Sequence, residues 1–173
     1  MSAQTRTRKK KDTMQRRSWL LLLLFIPLIA GIIFSILPKP SPKMSGPAFI
    51  KQGELKFISK DGKKIISQID IELAANDEKR TQGLMWRRKM EENQGMLFVM
   101  EQQEMQSFWM LNTYIPLDIL FVDELRQIVT IRSNTKPQSL DPVASDKPAL
   151  YVVEVNAGYC RKFGISVGDK IEF

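Results

Sequence analysis

An uncharged apolar segment near the N-terminus divides the chain into two unequal parts. Residues 18–37 contain no Asp, Glu, Lys or Arg, and Trp19 lies at one boundary of the segment. A helix rises roughly 1.5 Å per residue, so a helix over this segment matches the hydrocarbon core of a bilayer, which is about 30 Å thick. Pro27 lies within the segment, and proline is tolerated in membrane helices. We therefore predict a single transmembrane helix over residues 19–37.

The charges that flank this helix predict its orientation. Residues 1–18 contain seven basic side chains and one acidic side chain, which the positive-inside rule places in the cytoplasm. We expect a basic cytoplasmic tail over residues 1–18 and a C-terminal domain that is periplasmic or extracellular, held at the cell membrane by this single-pass anchor. A cleaved signal peptide is the alternative, and the length of the apolar run argues against it.

The remainder of the chain is predicted to form a linker followed by one domain. Four prolines fall between residues 38 and 47, so residues 38–52 are predicted to be a proline-rich linker that is either an extended spacer or unstructured. Residues 53–173 are predicted to be one extracytoplasmic domain. From residue 38 onward the chain has 19 basic and 18 acidic residues, so we expect no basic face and no nucleic-acid partner.

Composition also restricts the chemistry that the domain could perform. The chain has no histidine and one cysteine, Cys160. This excludes Ser-His and Cys-His catalysis, imidazole metal ligands, intramolecular disulfides and Cys-cluster zinc sites. We therefore expect no cofactor and no metal, name no catalytic residue, and interpret Cys160 as a packed side chain.

Alternating and continuous apolar runs predict the fold. Leu55 and Phe57 alternate with polar neighbours before a Lys-Asp-Gly-Lys turn, and residues 65–73 follow as a second extended run, so a hairpin is expected. Asn76 is expected to cap a helix that continues to about Trp86, and Asn156 a second, short helix that ends at Gly164. The further predicted strands are 96–100, 107–111, 117–122, 127–132, 150–155 and 170–173. The prediction is an α+β fold, a mainly antiparallel, barrel-like β domain with two short helices.

Two carboxylates lie in otherwise apolar strands. The strand over residues 117–122 is apolar on both faces apart from Asp118, and Glu154 ends an apolar row in the strand over 150–155. The two could form an acid/base pair, a cation site or a polar pocket. Both could instead be structural, with Asp118 bonded to the backbone at residues 112–113 and Glu154 paired with Arg87 or Arg161.

Polar groups embedded in apolar sequence define the candidate ligand-binding site. These residues are Arg87, Trp109, Asn112, Thr113, Asp118 and Glu154. Six methionines between residues 85 and 110 add three possibilities: core packing, an apolar binding groove, or a Cu(I) site made of thioethers.

Several ordered motifs resemble a known family. They are Gly-Leu-Met at 83–85, Gly-Met-Leu-Phe at 95–98, the long string at 108–123, and Glu-Val-x-Ala-Gly at 154–158. Together they resemble the domain-of-unknown-function family 192 over roughly residues 53–173. The resemblance implies a compact, mostly β domain, often exported or membrane-anchored in prokaryotes, with no settled activity. Leu111 stands where such proteins often carry lysine, and no catalytic residue is carried over.

These observations favour a binding role over catalysis. We expect an uncharacterised, membrane-anchored extracytoplasmic domain that serves as a ligand-binding or interaction module of the cell envelope, with an unidentified small-molecule or envelope ligand. The alternatives are a hydrolase that uses Asp118 and Glu154, and a methionine-based Cu(I)-binding protein.

Overall fold

The computed structural model describes residues 46–173, which contain nine strands and two short helices. The strands are β1 (Gly53–Ile58), β2 (Ile65–Ala74), β3 (Gln94–Glu104), β4 (Ser107–Phe108), β5 (Leu117–Val122), β6 (Ile128–Arg132), β7 (Val143–Ala144), β8 (Ala149–Asn156) and β9 (Lys170–Glu172). The helices are α1 (Asp77–Gln82) and α2 (Tyr159–Phe163).

Seven strands form one mixed sheet in the order β6-β5-β8-β3-β2-β1-β9. Its neighbouring strands are antiparallel, with the exception of β2 and β3, which are parallel and are connected through α1. Strands β4 and β7 form a separate two-stranded sheet. The prediction of a mostly β domain with two short helices is confirmed.

The barrel-like shape that the sequence suggested is not supported, because the sheet is not closed. Its end strands, β6 and β9, share no ladder; an isolated bridge joins Gln127 to Lys170 just before β6 begins. The amide of Ile128 also donates to the Asp169 carbonyl at 2.8 Å. Strand β9 is three residues long, which leaves it too short to pair along the length of β6.

The first hairpin forms as its sequence predicts. Leu55 and Phe57 in β1 are fully buried and alternate with more exposed polar residues. The turn that follows places Gly62 at φ 75°, a left-handed conformation that glycine adopts without steric strain. The Gly62 amide donates to the Ser59 carbonyl at 2.7 Å and closes the turn.

Apolar side chains cover both faces of the sheet. One core cluster contains Phe57, Ile71, Leu120 and Val153, and the other contains Phe98, Leu117, Ile119 and Phe121, among other residues. All six residues of β5 are buried, because alternate side chains of this strand enter the two clusters. The prediction that this strand is covered on both faces is confirmed.

Helix α1 begins where the sequence predicts and ends earlier. The Asn76 side chain accepts a hydrogen bond from the Lys79 amide at 2.9 Å, which satisfies one of the free donors at the helix start. The helix ends at Gln82, four residues before Trp86, because Gly83 adopts φ 46° and ψ −135°. This conformation is close to exclusive to glycine, and it turns the chain away from the helix axis.

The predicted cytoplasmic tail, transmembrane helix and most of the linker lie outside the described residues. The last linker residues are described, and they pack along β2: the Gln52 amide donates to the Ile71 carbonyl at 2.8 Å. Ile50 donates to the Glu72 carboxylate at 3.1 Å. Between residues 46 and 173, no helix has the length and apolar character needed to cross a membrane.

Candidate functional site

A groove of about 350 Å³ opens between α1, the turn that follows it, β3 and the segment at residues 107–113. Its apolar lining residues are Leu84, Met85, Phe98, Met100, Phe108, Trp109 and Leu111. Its polar lining residues are Asp77, Arg80, Thr81, Gln82, Ser107, Thr113 and Glu154. The lining therefore combines equal numbers of apolar and polar side chains, and ligand sites in proteins likewise combine apolar surface with placed polar groups.

The aromatic side chains of the groove are held by one another and by the core. The Phe98 and Phe108 rings meet edge to face with centroids 5.0 Å apart, and Phe108 makes a similar contact with Phe121 at 6.0 Å. Such pairs fix ring orientation as well as burying apolar area. Trp109 is 54% exposed, so its indole remains available to a molecule that enters the groove.

Glu154 is the buried polar group of the groove. Its neighbours on the adjacent strands are Met96 in β3 and Ile119 in β5, both apolar and buried. The residue is 4% exposed, and burial raises the pKa of its carboxyl to about 8, with no hydrogen bond or charge from residues 46–173 opposing this shift. At neutral pH the side chain is therefore a carboxylic acid that can donate one proton or release it.

A group of three charged side chains, the rim cluster, borders the groove. Arg80 forms ion pairs with Asp77 and with Glu101, the latter at 2.8 Å, and its guanidinium also donates to the Val99 carbonyl at 3.0 Å. The cluster contains two carboxylates and one guanidinium, so its net charge is negative. Arg80 is already engaged by both acids and by the backbone.

Gly95 allows the backbone to approach closely beside Glu154. A Cβ atom at this position would lie 2.7 Å from the Glu154 carbonyl oxygen and 2.8 Å from Ile69 Cδ1. Both distances are shorter than van der Waals contact allows. Gly95 therefore keeps β3 close to β8 at the level of the buried acid.

Asp118 lies on the opposite side of the sheet from the groove. In the β5–β8 ladder Asp118 pairs with Val155, whereas Ile119 pairs with Glu154, and side chains alternate faces along a strand. The Asp118 carboxylate is fully buried; it accepts hydrogen bonds from the amides of Asn134 at 2.9 Å and Cys160 at 3.0 Å. Its role is structural, with different backbone partners from those predicted at residues 112–113.

Comparison with known proteins now identifies the domain. The model of the family DUF192, described as "Uncharacterized ACR", matches residues 57–173. The chain belongs to the DUF192 family. No curated protein sequence matches it, and the description of the family names no activity.

Two solved structures resemble this DUF192 chain. A protein from Sinorhizobium meliloti 1021, provisionally described as a transcription regulator, is 36% identical with a TM-score of 0.66; the match covers 72% of this chain and 97% of that one. A protein of unknown function from Novosphingobium aromaticivorans DSM 12444 is 31% identical with a TM-score of 0.66, over 79% of this chain and 99% of that one.

Only some of the six predicted site residues come together in this DUF192 domain. Trp109, Thr113 and Glu154 line the groove. Arg87, Asn112 and Asp118 do not line it.

Arg87 and Asn112, which do not line the groove, have structural roles. Arg87 is buried and forms an ion pair with Glu72 at 2.6 Å rather than with Glu154. Asn112 adopts φ 55°, and its carbonyl accepts a hydrogen bond from the Trp86 amide at 2.7 Å.

The place of Phe98 in the groove lining and the rim cluster were not predicted from the sequence. Phe98 lies in a predicted strand and Arg80 in the first predicted helix, and no sequence feature singles out either residue. Their sequence signals are typical of core and surface positions, and only the packing of distant segments brings them to the groove.

The methionines of the DUF192 domain are dispersed. Met85 and Met100 line the groove, Met96 and Met110 are core residues, Met90 packs against the core, and Met105 is 57% exposed. The Met110 sulfur accepts a hydrogen bond from the Thr135 hydroxyl at 3.2 Å, which is a packing role. Within residues 46–173, no group of three or more Cys, Asp or Glu side chains is arranged to hold a metal.

Proposed function

We propose that the DUF192 domain is a ligand-binding module whose groove holds a small, largely apolar molecule against Glu154. The observation that carries this proposal is the Glu154 carboxyl, which lies 4% exposed in the lining of the groove and has no hydrogen-bond partner among the described residues. Burying a polar group without a partner costs free energy. A ligand that satisfied this group would recover part of that cost.

The arrangement supports binding better than hydrolysis. A two-carboxylate hydrolase needs both acids around one cleft, at separations of about 5–10 Å. Asp118 and Glu154 face opposite sides of the sheet, and both Asp118 oxygens are occupied by backbone amides. Binding of Cu(I) by methionine is also less favoured, because only Met85 and Met100 of the six line the groove.

A screen for ligands of the groove tests this proposal. Full-length protein carrying ¹³C-methyl methionine would be titrated with a library of small aromatic and aliphatic compounds. We expect binders to shift the methyl signals of Met85 and Met100 and to leave that of Met105 unchanged. If no compound in the library shifts either groove methionine, the proposal is contradicted.

Matched tryptophan variants would locate the binding. Ser107 is exposed and lines the groove, so Ser107→Trp should fill it and weaken binding at least roughly tenfold. Ser166 is also exposed and lies in the loop after α2, outside the groove lining. Ser166→Trp should therefore bind as the unmodified protein does, and equal affinities in the two variants would contradict the assignment to the groove.

The proposed setting of this module is the cell envelope. The apolar segment at 19–37 and the basic residues before it support a single-pass anchor with the domain outside the cytoplasm. Alkaline phosphatase fused after residue 173 would test the orientation, with activity expected outside the cytoplasm and none expected if the domain is cytoplasmic. The description of the Sinorhizobium relative as a transcription regulator is not extended to this chain, because residues 46–173 carry 17 basic and 18 acidic side chains.

A further inference from the structure

The charges around the groove distinguish one class of ligand from others. We infer that the groove selects organic cations, in which an ammonium group on an apolar stem pairs with the Glu154 carboxylate. This inference rests on the proposed binding function of the groove and specifies the chemistry of its ligand.

The charges at the groove favour a cationic ligand over an anionic one. Of the groove-lining residues, Arg80 alone is basic, and its guanidinium is engaged by Asp77 and Glu101. An anionic ligand would therefore meet no free cation among the residues that line the groove and would approach a rim cluster of net negative charge. A cationic ligand would be attracted by the rim cluster and would reach an acid that has no competing partner.

The aromatic and thioether side chains of the lining also favour an ammonium group on an apolar stem. The side chains of Phe98, Phe108 and Trp109 line the groove, and the Trp109 indole is 54% exposed; aromatic rings attract ammonium groups, most strongly away from water. Met85 and Met100 add polarizable thioethers that adapt to an apolar stem. A neutral apolar ligand would use the rings and thioethers but would leave Glu154 unsatisfied.

The proton on the Glu154 carboxyl makes cation binding depend on pH. In the free groove the carboxyl is neutral, because burial raises its pKa to about 8. When an ammonium binds, the carboxyl O–H bond breaks, the proton passes to solvent, and the carboxylate pairs with the cation. Binding is therefore expected to release a proton at neutral pH and to strengthen as the pH rises to about 8.

The elements around Glu154 contain few groups that could take over this titration. Its strand neighbours, Met96 and Ile119, do not ionise. Beyond Met96 in the sheet lies Glu72, which forms an ion pair with Arg87, and beyond Ile119 lies Arg132, which forms an ion pair with Asp146. The segment at 107–113 carries no ionisable side chain, and α1 contributes Asp77 and Arg80 of the rim cluster. The released proton is therefore assigned to Glu154.

A series of size-matched probes tests the inference. The full-length protein would be titrated calorimetrically with 2-phenylethylammonium, 2-phenylethanol and phenylacetate, in buffers of different ionisation enthalpy. We expect the cation to bind at least roughly tenfold more tightly than the alcohol, and phenylacetate most weakly of the three. Proton release on binding the cation should be about 0.9 per site at pH 7 and about 0.1 at pH 9, given a free pKa of about 8.

The isosteric variant Glu154→Gln assigns the selectivity to one side chain. It should bind the alcohol within about twofold of the unmodified protein, lose the preference for the cation, and release no proton. Proton release by the unmodified protein tests the inference even if this variant does not fold. Equal affinity for cation and alcohol, or a cation preference that survives in Glu154→Gln, would overturn it.

The failure of this inference can be separated from failure of the binding function. If the alcohol binds as tightly as the cation and shifts Met85 and Met100, the groove binds ligands without selecting cations. If none of the three probes binds while other compounds shift those methionines, the ligand class is likewise wrong and the binding function stands. If no compound of any class shifts them, both proposals fail.

Discussion

Asp118 and Glu154 lie on neighbouring strands and face opposite sides of the same sheet. The β5–β8 register pairs Glu154 with Ile119 and places Asp118 one residue further along. One carboxylate is therefore enclosed by backbone donors, and the other lines the groove without a partner among the described residues. Both acids lie in apolar strands of the sequence. They have different roles because successive side chains of a strand point to opposite faces of the sheet.

The unpartnered acid should make stability depend on pH. The Glu154 pKa is raised from 4.5 in the unfolded reference to about 8 in the folded domain, so between these values the folded state binds the extra proton. Its contribution is fully present below about pH 4.5 and is lost as pH rises towards 8, by about 1.4 kcal/mol per pH unit. Urea denaturation of the full-length protein from pH 5 to 9 would measure this slope.

Glu154→Gln should remove this slope and stabilise the fold at neutral pH. The expected gain at pH 7 is on the order of 3 kcal/mol, because glutamine fills the same space and has no charged form to desolvate. Glu172→Gln, at an exposed site paired with Lys56, should keep the slope of the unmodified protein. Parallel pH profiles for the unmodified protein and Glu154→Gln would show that the assignment is incorrect.

Removing the charge of Asp118 should destabilise the fold without altering the groove. Asp118→Asn turns one acceptor oxygen into a donor, which would then face the amide of Asn134 or Cys160. We expect a loss of about 3 kcal/mol in the free energy of unfolding, measured by urea denaturation. Asp146→Asn breaks an exposed pair with Arg132 and should cost less than about 1 kcal/mol. Similar losses in both variants would contradict the structural role of Asp118.

Gly95 should not tolerate a methyl group. Gly95→Ala places a Cβ within 2.7 Å of the Glu154 carbonyl oxygen and must separate β3 from β8, with an expected loss of about 1–3 kcal/mol. Gly53→Ala is the matched control, because its nearest atoms are side-chain atoms of Ile71 at 3.5 Å. Thermal unfolding of the two variants should differ clearly, and equal melting temperatures would contradict the close approach.

Cys160 should be unreactive in the folded protein. Burial, together with the nearby charge of Asp118, raises the pKa of its thiol well above the usual range, and the thiolate is the reactive form. Iodoacetamide should alkylate Cys160 at least roughly a hundredfold more slowly in native protein than in protein unfolded by urea. Comparable rates in the two states would show that the thiol is accessible.

The sequence predicts most strands of the large sheet and little of the groove; the strand predicted over 107–111 forms only at Ser107–Phe108, and β7 was not predicted. Apolar alternation around Leu55 and the continuous run at residues 117–122 reflect burial directly, so these elements and the burial of Asp118 could be anticipated. The partners of Asp118 could not, because they are backbone amides, which every residue except proline supplies. The ion pair between Arg87 and Glu72 could not be predicted either. It depends on how distant segments pack, and the sequence offers many other carboxylates as partners.

The groove depends on contacts between distant segments. Its lining combines α1, the turn at Gly83, β3, residues 107–113 and one side chain of β8. The sequence predicted a helix continuing to Trp86, and such a helix would leave no turn in which Leu84 and Met85 could line the groove. Trp109, Thr113 and Glu154 were anticipated because polar or large aromatic side chains are conspicuous in otherwise apolar sequence. The Phe98 and Phe108 rings resemble any buried pair.

The most direct test of the account observes the Glu154 carboxyl during binding. In full-length protein with ¹³C-labelled glutamate side chains, the Glu154 signal can be assigned by its absence in Glu154→Gln and followed at pH 7 as 2-phenylethylammonium is added. We expect Glu154 in the free protein to show the chemical shift of a protonated acid, because its pKa is about 8. As the cation binds, the signal should move to the chemical shift of a carboxylate. A Glu154 signal that is already ionised at pH 7, or that does not change at saturating cation, would contradict the account.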